Sequence, residues 1–208
     1  MQAKKPDNEI KRLEKLYTLE ILDSEQDEAY DAITKIASNI METPIALISL
    51  VDEDRQWFKS KIGLNEESTP REYSFCAHAI LNPGDQMLVR DATKDPRFTD
   101  NKYVTADNGV RFYFGTPLVT SDNQAIGTIC AIDTKLRPDP TPAQRESLFC
   151  LSKLVVMQME LRQFIIDVNR DLNKMHEINI TSHADWNKLN GKLDSVLDKV
   201  KARRAKNA

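Results

Sequence analysis

The chain has 208 residues and a formal net charge of −3; 40% of its residues are hydrophobic and 29% charged, enough apolar content for one cored globular domain plus an accessory element. Its three cysteines, Cys76, Cys130 and Cys150, are odd in number and far apart, which excludes a disulfide framework and a C-x-x-C clip and predicts reduced thiols in a cytoplasmic protein. The charge gives no global reason to bind nucleic acid, the N-terminal MQAKKPDNEIK lacks the apolar core of a signal peptide, and no apolar run is long enough to span a membrane.

Residues 1–7 read as a disordered N-terminus. Ile10, Leu13, Leu16 and Tyr17 then recur at helical spacing over 8–20. "ILDS" breaks this helix, and Ser24 is the expected cap of a second one, whose apolar face is Tyr30, Ile33, Ile36, Ala37 and Ile40. Thr43-Pro44 stops it. "IALISLV" is a short, buried strand with "RQWFKSKIG" as its hairpin partner, and 64–73 reads as a polar loop. In "YSFCAHAI", Ser74 followed by an apolar run and then Asn82-Pro83-Gly84 predicts a short helix. On a helix Cys76 and His78 point about 200° apart and form no catalytic couple. One is expected in the core and the other at a pocket. "MLVR" is a further strand, a long connection carries a short helix after Phe98, and "VRFYFGTPLV" and "QAIGTICAI" form a second hairpin. On alternation, Cys130 shares a face with Thr128 and Ile132. "TPAQ", with Thr141 at the cap and Gln144 three residues on, starts a long helix. Five strands between helices predict an α+β fold with an antiparallel sheet.

The motifs "RQWFKS", "SFCAHAI", "DPRF", "RFYFGTPL" and "IGTICAID", in this order and spacing, resemble the GAF domain in its bacterial signalling subgroup. The resemblance covers about 8–165. It implies a central antiparallel sheet of five or six strands, a bundle of the first and last helices on one face, and loops enclosing a small-molecule pocket on the other. Residues 166–202 are then a helical, coiled-coil extension and 203–208 a basic tail.

Fold alone does not settle function, and each activity found in the family makes a demand on these residues. Cyclic-nucleotide members carry Asn-Lys followed by Phe-x3-Asp-Glu; here Asn101-Lys102 is followed by Phe112 and Phe114 with no Asp-Glu four residues on. Bilin-binding members place His directly after Cys, whereas Ala77 intervenes here. The bilin, haem and cyclic-nucleotide motifs are not matched, and the sequence requires no cofactor. A metal shell built on His78 would need Asp91 or Cys130, with no ligand spacing to suggest it. The free methionine sulfoxide reductases cluster their cysteines, and two thiols at 76 and 130 do not match that arrangement. The remaining reading is a ligand-binding sensor of unknown ligand. Its expected pocket has walls from Trp57, Phe58, Phe75, Phe98, Phe112 and Phe114, thiols from Cys76 and Cys130, and polar groups from His78, Asp91, Arg97, Arg111 and Asp133 for an anionic or polar ligand. Arg111, if it faces inward, needs a carboxylate such as Asp91 or an acidic group of the ligand. No output module follows, so a downstream signalling partner, membership of a longer protein, or a dimerisation unit with a vestigial pocket all stay open.

From Leu151 the chain follows a heptad. The a positions are Leu151, Gln158, Ile165 and Leu172, continuing to Val200; the d positions are Leu154, Leu161, Val168 and Met175, continuing to Val196. A helix packing only on its own domain would drift from this register, so the repeat predicts a supercoiled seam. The pattern weakens near Ser182 and Gly191, so 184–202 either continues the helix or folds back. The expected assembly is a parallel homodimer through 8–20 and 143–178, with Leu13 and Leu16 joining the heptad residues. The basic residues of "KVKARRAKNA" read as a solvated helix end, since no aromatic residue interleaves them.

Overall fold

A computed structural model describes residues 2–177 and positions 191, 194 and 195. The elements in order are α1 (Glu9–Thr18), α2 (Glu28–Met41), β1 (Ile45–Val51), β2 (Arg55–Ile62), β3 (Ser68–Pro70), a 3-10 turn (Arg71–Tyr73), α3 (Phe75–Ala79), β4 (Met87–Val89), α4 (Lys102–Thr105), β5 (Phe112–Val119), β6 (Ala125–Asp133) and α5 (Pro142–Glu177). The six strands form one antiparallel sheet in the order β3-β2-β1-β6-β5-β4. β3 is the strand beyond the five expected. It lies inside the stretch read as a polar loop, and three residues are too short to carry an alternating pattern.

β1, β5 and β6 are buried almost throughout. That is why their sequences run apolar instead of alternating: both faces are covered. Each face has its own core. On one, Leu16, Tyr30, Met41, Leu148, Val155 and Met159 from α1, α2 and α5 pack on Ala46, Ile48 and Leu50. On the other, Leu47, Phe58, Phe75, Phe98, Tyr113 and Cys130 pack together beneath α3 and α4. Neighbouring residues of β1 thus belong to opposite cores, as the period of two requires.

The caps show where local chemistry decided the boundaries. Thr141 and Gln144 form a reciprocal capping box: Thr141 Oγ1 accepts from Gln144 N at 3.2 Å, and Gln144 Oε1 accepts from Thr141 N at 2.9 Å. α2 departs from expectation. Asp27, not Ser24, caps it by accepting from Ala29 N, while the Ser24 hydroxyl donates to the Ile21 carbonyl. An ionised carboxylate is the better partner for the exposed amides of a helix start. Residues 2–7 take no regular structure, yet Ala3 packs on the core and the Lys5 ammonium lies 3.9 Å from Glu53.

The chain divides into two units, Met1–Gln163 and Phe164–Ala208. In the first, Leu16 and Leu151 are 0% and 7% exposed and belong to the domain's own core. They are therefore not interface residues. Leu13 is partly buried against the same core. Leu154 and Leu161 are exposed on α5, and in the second unit so are Ile165, Val168 and Leu172. The side chain of Met175 and the heptad positions from Asn179 onward lie outside the described residues. Among the described residues no helix is long and apolar enough to cross a membrane.

Candidate functional site

The 3-10 turn and α3 form a wall over the second core. Ser74 caps α3, accepting from Ala77 N at 2.9 Å, and donates to Gln56 on β2. This fixes the short helix on the sheet and turns Cys76 down onto it. Phe75 stacks on Phe98 at 3.9 Å and on Tyr113 at 5.3 Å between ring centres. The edge of His78 meets Phe98, 4.9 Å away and outside the thiol cluster. Cys76 and His78 are thus separate, as the helical reading requires.

Between this wall, β2 and the α4 turn lies a cavity of about 220 Å³. Its apolar lining includes Leu47, Phe58, Leu64, Phe75, Val110 and Tyr113, with Cys76 among them. Tyr73 and Tyr103 also line it, in an edge-to-face pair 5.9 Å apart, and the Lys102 ammonium lies over both rings. The charged residues in the lining are Glu66 and Asp107; no Lys, Arg or His belongs to it among the described residues. A more polar groove of about 400 Å³ runs past Asp31, Lys35, Lys59, Lys61 and Glu67, and Trp57 borders it. The smaller cavity has the apolar walls and few polar groups of a ligand site, and the groove has the character of ordinary surface.

Several expected pocket residues lie elsewhere. Trp57, Phe112 and Phe114 belong to the helix-side core. Phe98 is in the cavity-side core behind Phe75, and Cys130 lies beneath Cys76. Arg111 donates to the carbonyls of Val104 and Val110 and binds no carboxylate among the described residues. Asp91 accepts from Thr93 and pairs with Lys94; Arg97 pairs with Asp95, and Asp133 with Arg137. The expected cationic contacts for an anion are therefore absent from the lining, and the acidic Glu66 and Asp107 stand in their place. Tyr113 was hidden between Phe112 and Phe114. Strand alternation puts it on the opposite face from both, with Cys130, and that was the available signal.

The thiols are close. Cys76 Sγ and Cys130 Sγ are 3.9 Å apart, and the Tyr113 hydroxyl donates to Cys76 Sγ at 3.5 Å. Gly115 makes the second contact possible, because the Tyr113 ring lies where a Cβ on residue 115 would stand. Ser49 and Thr128 are register partners across β1 and β6, and their buried hydroxyls have no hydrogen-bond partner among the described residues. Burial opposes charge on either sulfur. At Cys76 the Cys130 and Tyr113 contacts, with the Thr128 and Ser49 hydroxyls close by, outweigh it and pull the thiol below its ordinary value, whereas burial and the charge of Cys76 push Cys130 well up.

A charge network ties this wall to α1. Arg71 donates to Glu9 and to the Asp52 and Glu53 carbonyls, and Arg12 donates to Glu9 and to the Val51 carbonyl at 2.6 Å. Burial raises the Glu9 carboxyl, but the two guanidinium groups more than offset it and hold the group at about 2.

A GAF domain family model matches residues 25–159. The chain belongs to the GAF domain family. It is 45% identical over 132 residues to a cyclic di-GMP phosphodiesterase of Pseudomonas aeruginosa, a match covering 64% of this chain and 22% of that protein. The GAF fold is shared with the GAF domain of an Acinetobacter phosphoenolpyruvate-protein phosphotransferase (TM-score 0.53, 17% identity, covering 74% of this chain and 93% of that one). A free methionine-R-sulfoxide reductase from Neisseria meningitidis shares it too (TM-score 0.53, 18% identity, 71% and 87%). At these identities the solved structures establish the GAF fold alone.

Proposed function

We propose that the chain is a small-molecule-sensing regulatory domain that acts as a dimer and carries out no turnover of its own. The cavity is the observation that carries this reading. It joins aromatic walls to two carboxylates and to no cation in its lining, so it suits a compact, largely apolar ligand with a neutral or cationic end. Aromatic faces and carboxylates both attract positive charge. An anionic nucleotide would meet Glu66 and Asp107 and, among the described residues, no Lys, Arg or His in the lining, while the Lys102 ammonium beside it is held over Tyr73 and Tyr103. The wall from Tyr73 to Cys76 is joined through Arg71 to Glu9 on α1, so a ligand that moves the wall also biases a terminal helix. In the phosphodiesterase relative the matched segment is a minor part of a longer enzyme. By analogy, the domain reports ligand state to an output enzyme.

The test is native mass spectrometry of the purified chain, followed by thermal-shift measurements with small aromatic amines and matched aromatic acids. The expected result is a retained mass lost on denaturation, or stabilisation by amines in the parent chain that is absent in Leu64→Trp, which fills the cavity. Stabilisation by the acids alone would overturn the ligand class, and no binding by either would overturn the sensor.

A second reading, a thiol enzyme of the sulfoxide reductase type, is favoured by the 3.9 Å thiol pair. Both sulfurs are buried, which leaves a bulky sulfoxide little access. Consumption of free methionine sulfoxide with dithiothreitol as reductant would establish it; none is expected.

A further inference from the structure

We infer that Cys76 and Cys130 form a redox modification site, closing to an intramolecular disulfide when a small hydroperoxide enters the cavity. The two sulfurs already face each other at 3.9 Å inside one packed core. Only Cys76 lines the cavity, so it is the sulfur a peroxide meets first. Tyr113 donates to that sulfur, and the hydroxyls of Ser49 and Thr128 are buried close by with no hydrogen-bond partner among the described residues. A plain structural core has little reason to bury three hydroxyls and two thiols together, since unpaired buried polar groups are destabilising. Their shared property is that each can stabilise negative charge at Cys76.

The chemistry balances with hydrogen peroxide as the oxidant. The Cys76 thiolate attacks one peroxide oxygen, the O–O bond breaks, and hydroxide leaves and takes the proton released by the thiol as water. The product is a sulfenic acid on Cys76. The Cys130 sulfur then attacks the Cys76 sulfur, the S–O bond breaks, and the hydroxyl leaves with the Cys130 proton as a second water. Two thiols lose two electrons in total and one peroxide gains them. A dithiol reverses the step by thiol–disulfide exchange. Closing the gap to the ~2.05 Å of an S–S bond draws α3 toward β6, and α3 is the cavity wall. Oxidation therefore alters the cavity whether or not a ligand is ever found, and the site does not depend on the sensor reading.

The test treats the full chain with hydrogen peroxide, then denatures and alkylates it and maps the peptides by mass spectrometry. Titratable thiols are expected to fall from three to one, with Cys150 still alkylated, a Cys76–Cys130 cross-linked peptide present, and full recovery with dithiothreitol. Cys150→Ser removes the exposed thiol and keeps intermolecular disulfides out of the measurement. In Cys130→Ala the Cys76 sulfenic acid is expected to persist and to be trapped by dimedone. Cys76 and Cys130 both alkylated after peroxide treatment, or irreversibly over-oxidised without any cross-linked peptide, would overturn the proposal. If Cys130→Ala does not fold, the peptide map of the parent chain still decides.

Discussion

Single residues set the chemistry of the cavity floor. Gly115→Ala puts a methyl group where the Tyr113 ring lies, so the phenol must leave its place over Cys76. Overpacking of this kind costs about 1–3 kcal/mol, to be read as a lower midpoint in urea unfolding. A midpoint equal to the parent's would show that the ring relocates freely. Glu9 is a second such residue. Glu9→Gln removes the one carboxylate shared by two buried guanidinium groups and is expected to destabilise the fold by roughly 3 kcal/mol. The sign with pH follows from the depressed folded value. The stabilisation from ionised Glu9 is complete above its ordinary value of 4.5 and is lost as pH falls through about 2. The parent chain should therefore lose stability over that window more steeply than Glu9→Gln, and equal slopes would remove Glu9 from the network. Neither Arg12 nor Arg71 stood out in the sequence. Each was one basic residue among many, and only the fold brings a residue of α1 against residue 71.

At the scale of elements, patterning carried most of the structure. The helix at 75–79 was legible from Ser74 and the apolar run after it, and the start of α5 from Thr141, Pro142 and Gln144. The heptad was legible too, but its meaning divided. Leu151 and Leu16 satisfy the repeat and yet serve the domain's own core, because one helical turn cannot announce which partner covers it. Further along α5, Leu154, Leu161, Ile165, Val168 and Leu172 remain exposed. In the proposed dimer these side chains, repeated in heptad register, pack against a second copy of α5, which presents the same positions. Leu161 is 51% exposed, so Leu161→Glu should leave the fold intact and shift the oligomer toward monomer. Unchanged circular dichroism with a lower mass in light scattering is the expected pair of results. An unchanged mass would move the interface away from this stripe.

At the scale of the whole molecule, the antiparallel sheet between two cores was legible because β1, β5 and β6 are apolar on both faces and the motifs recur in family order. The cavity was less so. Its walls come from five separated segments of the chain, and the polarity of its lining depends on Glu66 and Asp107, which read as ordinary loop residues. The thiol pair was missed for the same reason: 54 residues separate Cys76 from Cys130, and only the packing of α3 on β6 joins them. The sensor reading requires the terminal helices to act between two chains, so its most direct test is the mass of the full chain by light scattering at tens of micromolar, beside the Leu161→Glu variant, which keeps the core residues Leu151, Val155 and Met159. A dimeric sensor predicts twice the chain mass for the first and a single chain for the second. A monomeric full chain at that concentration would contradict both the dimer and the transmission of ligand state through it.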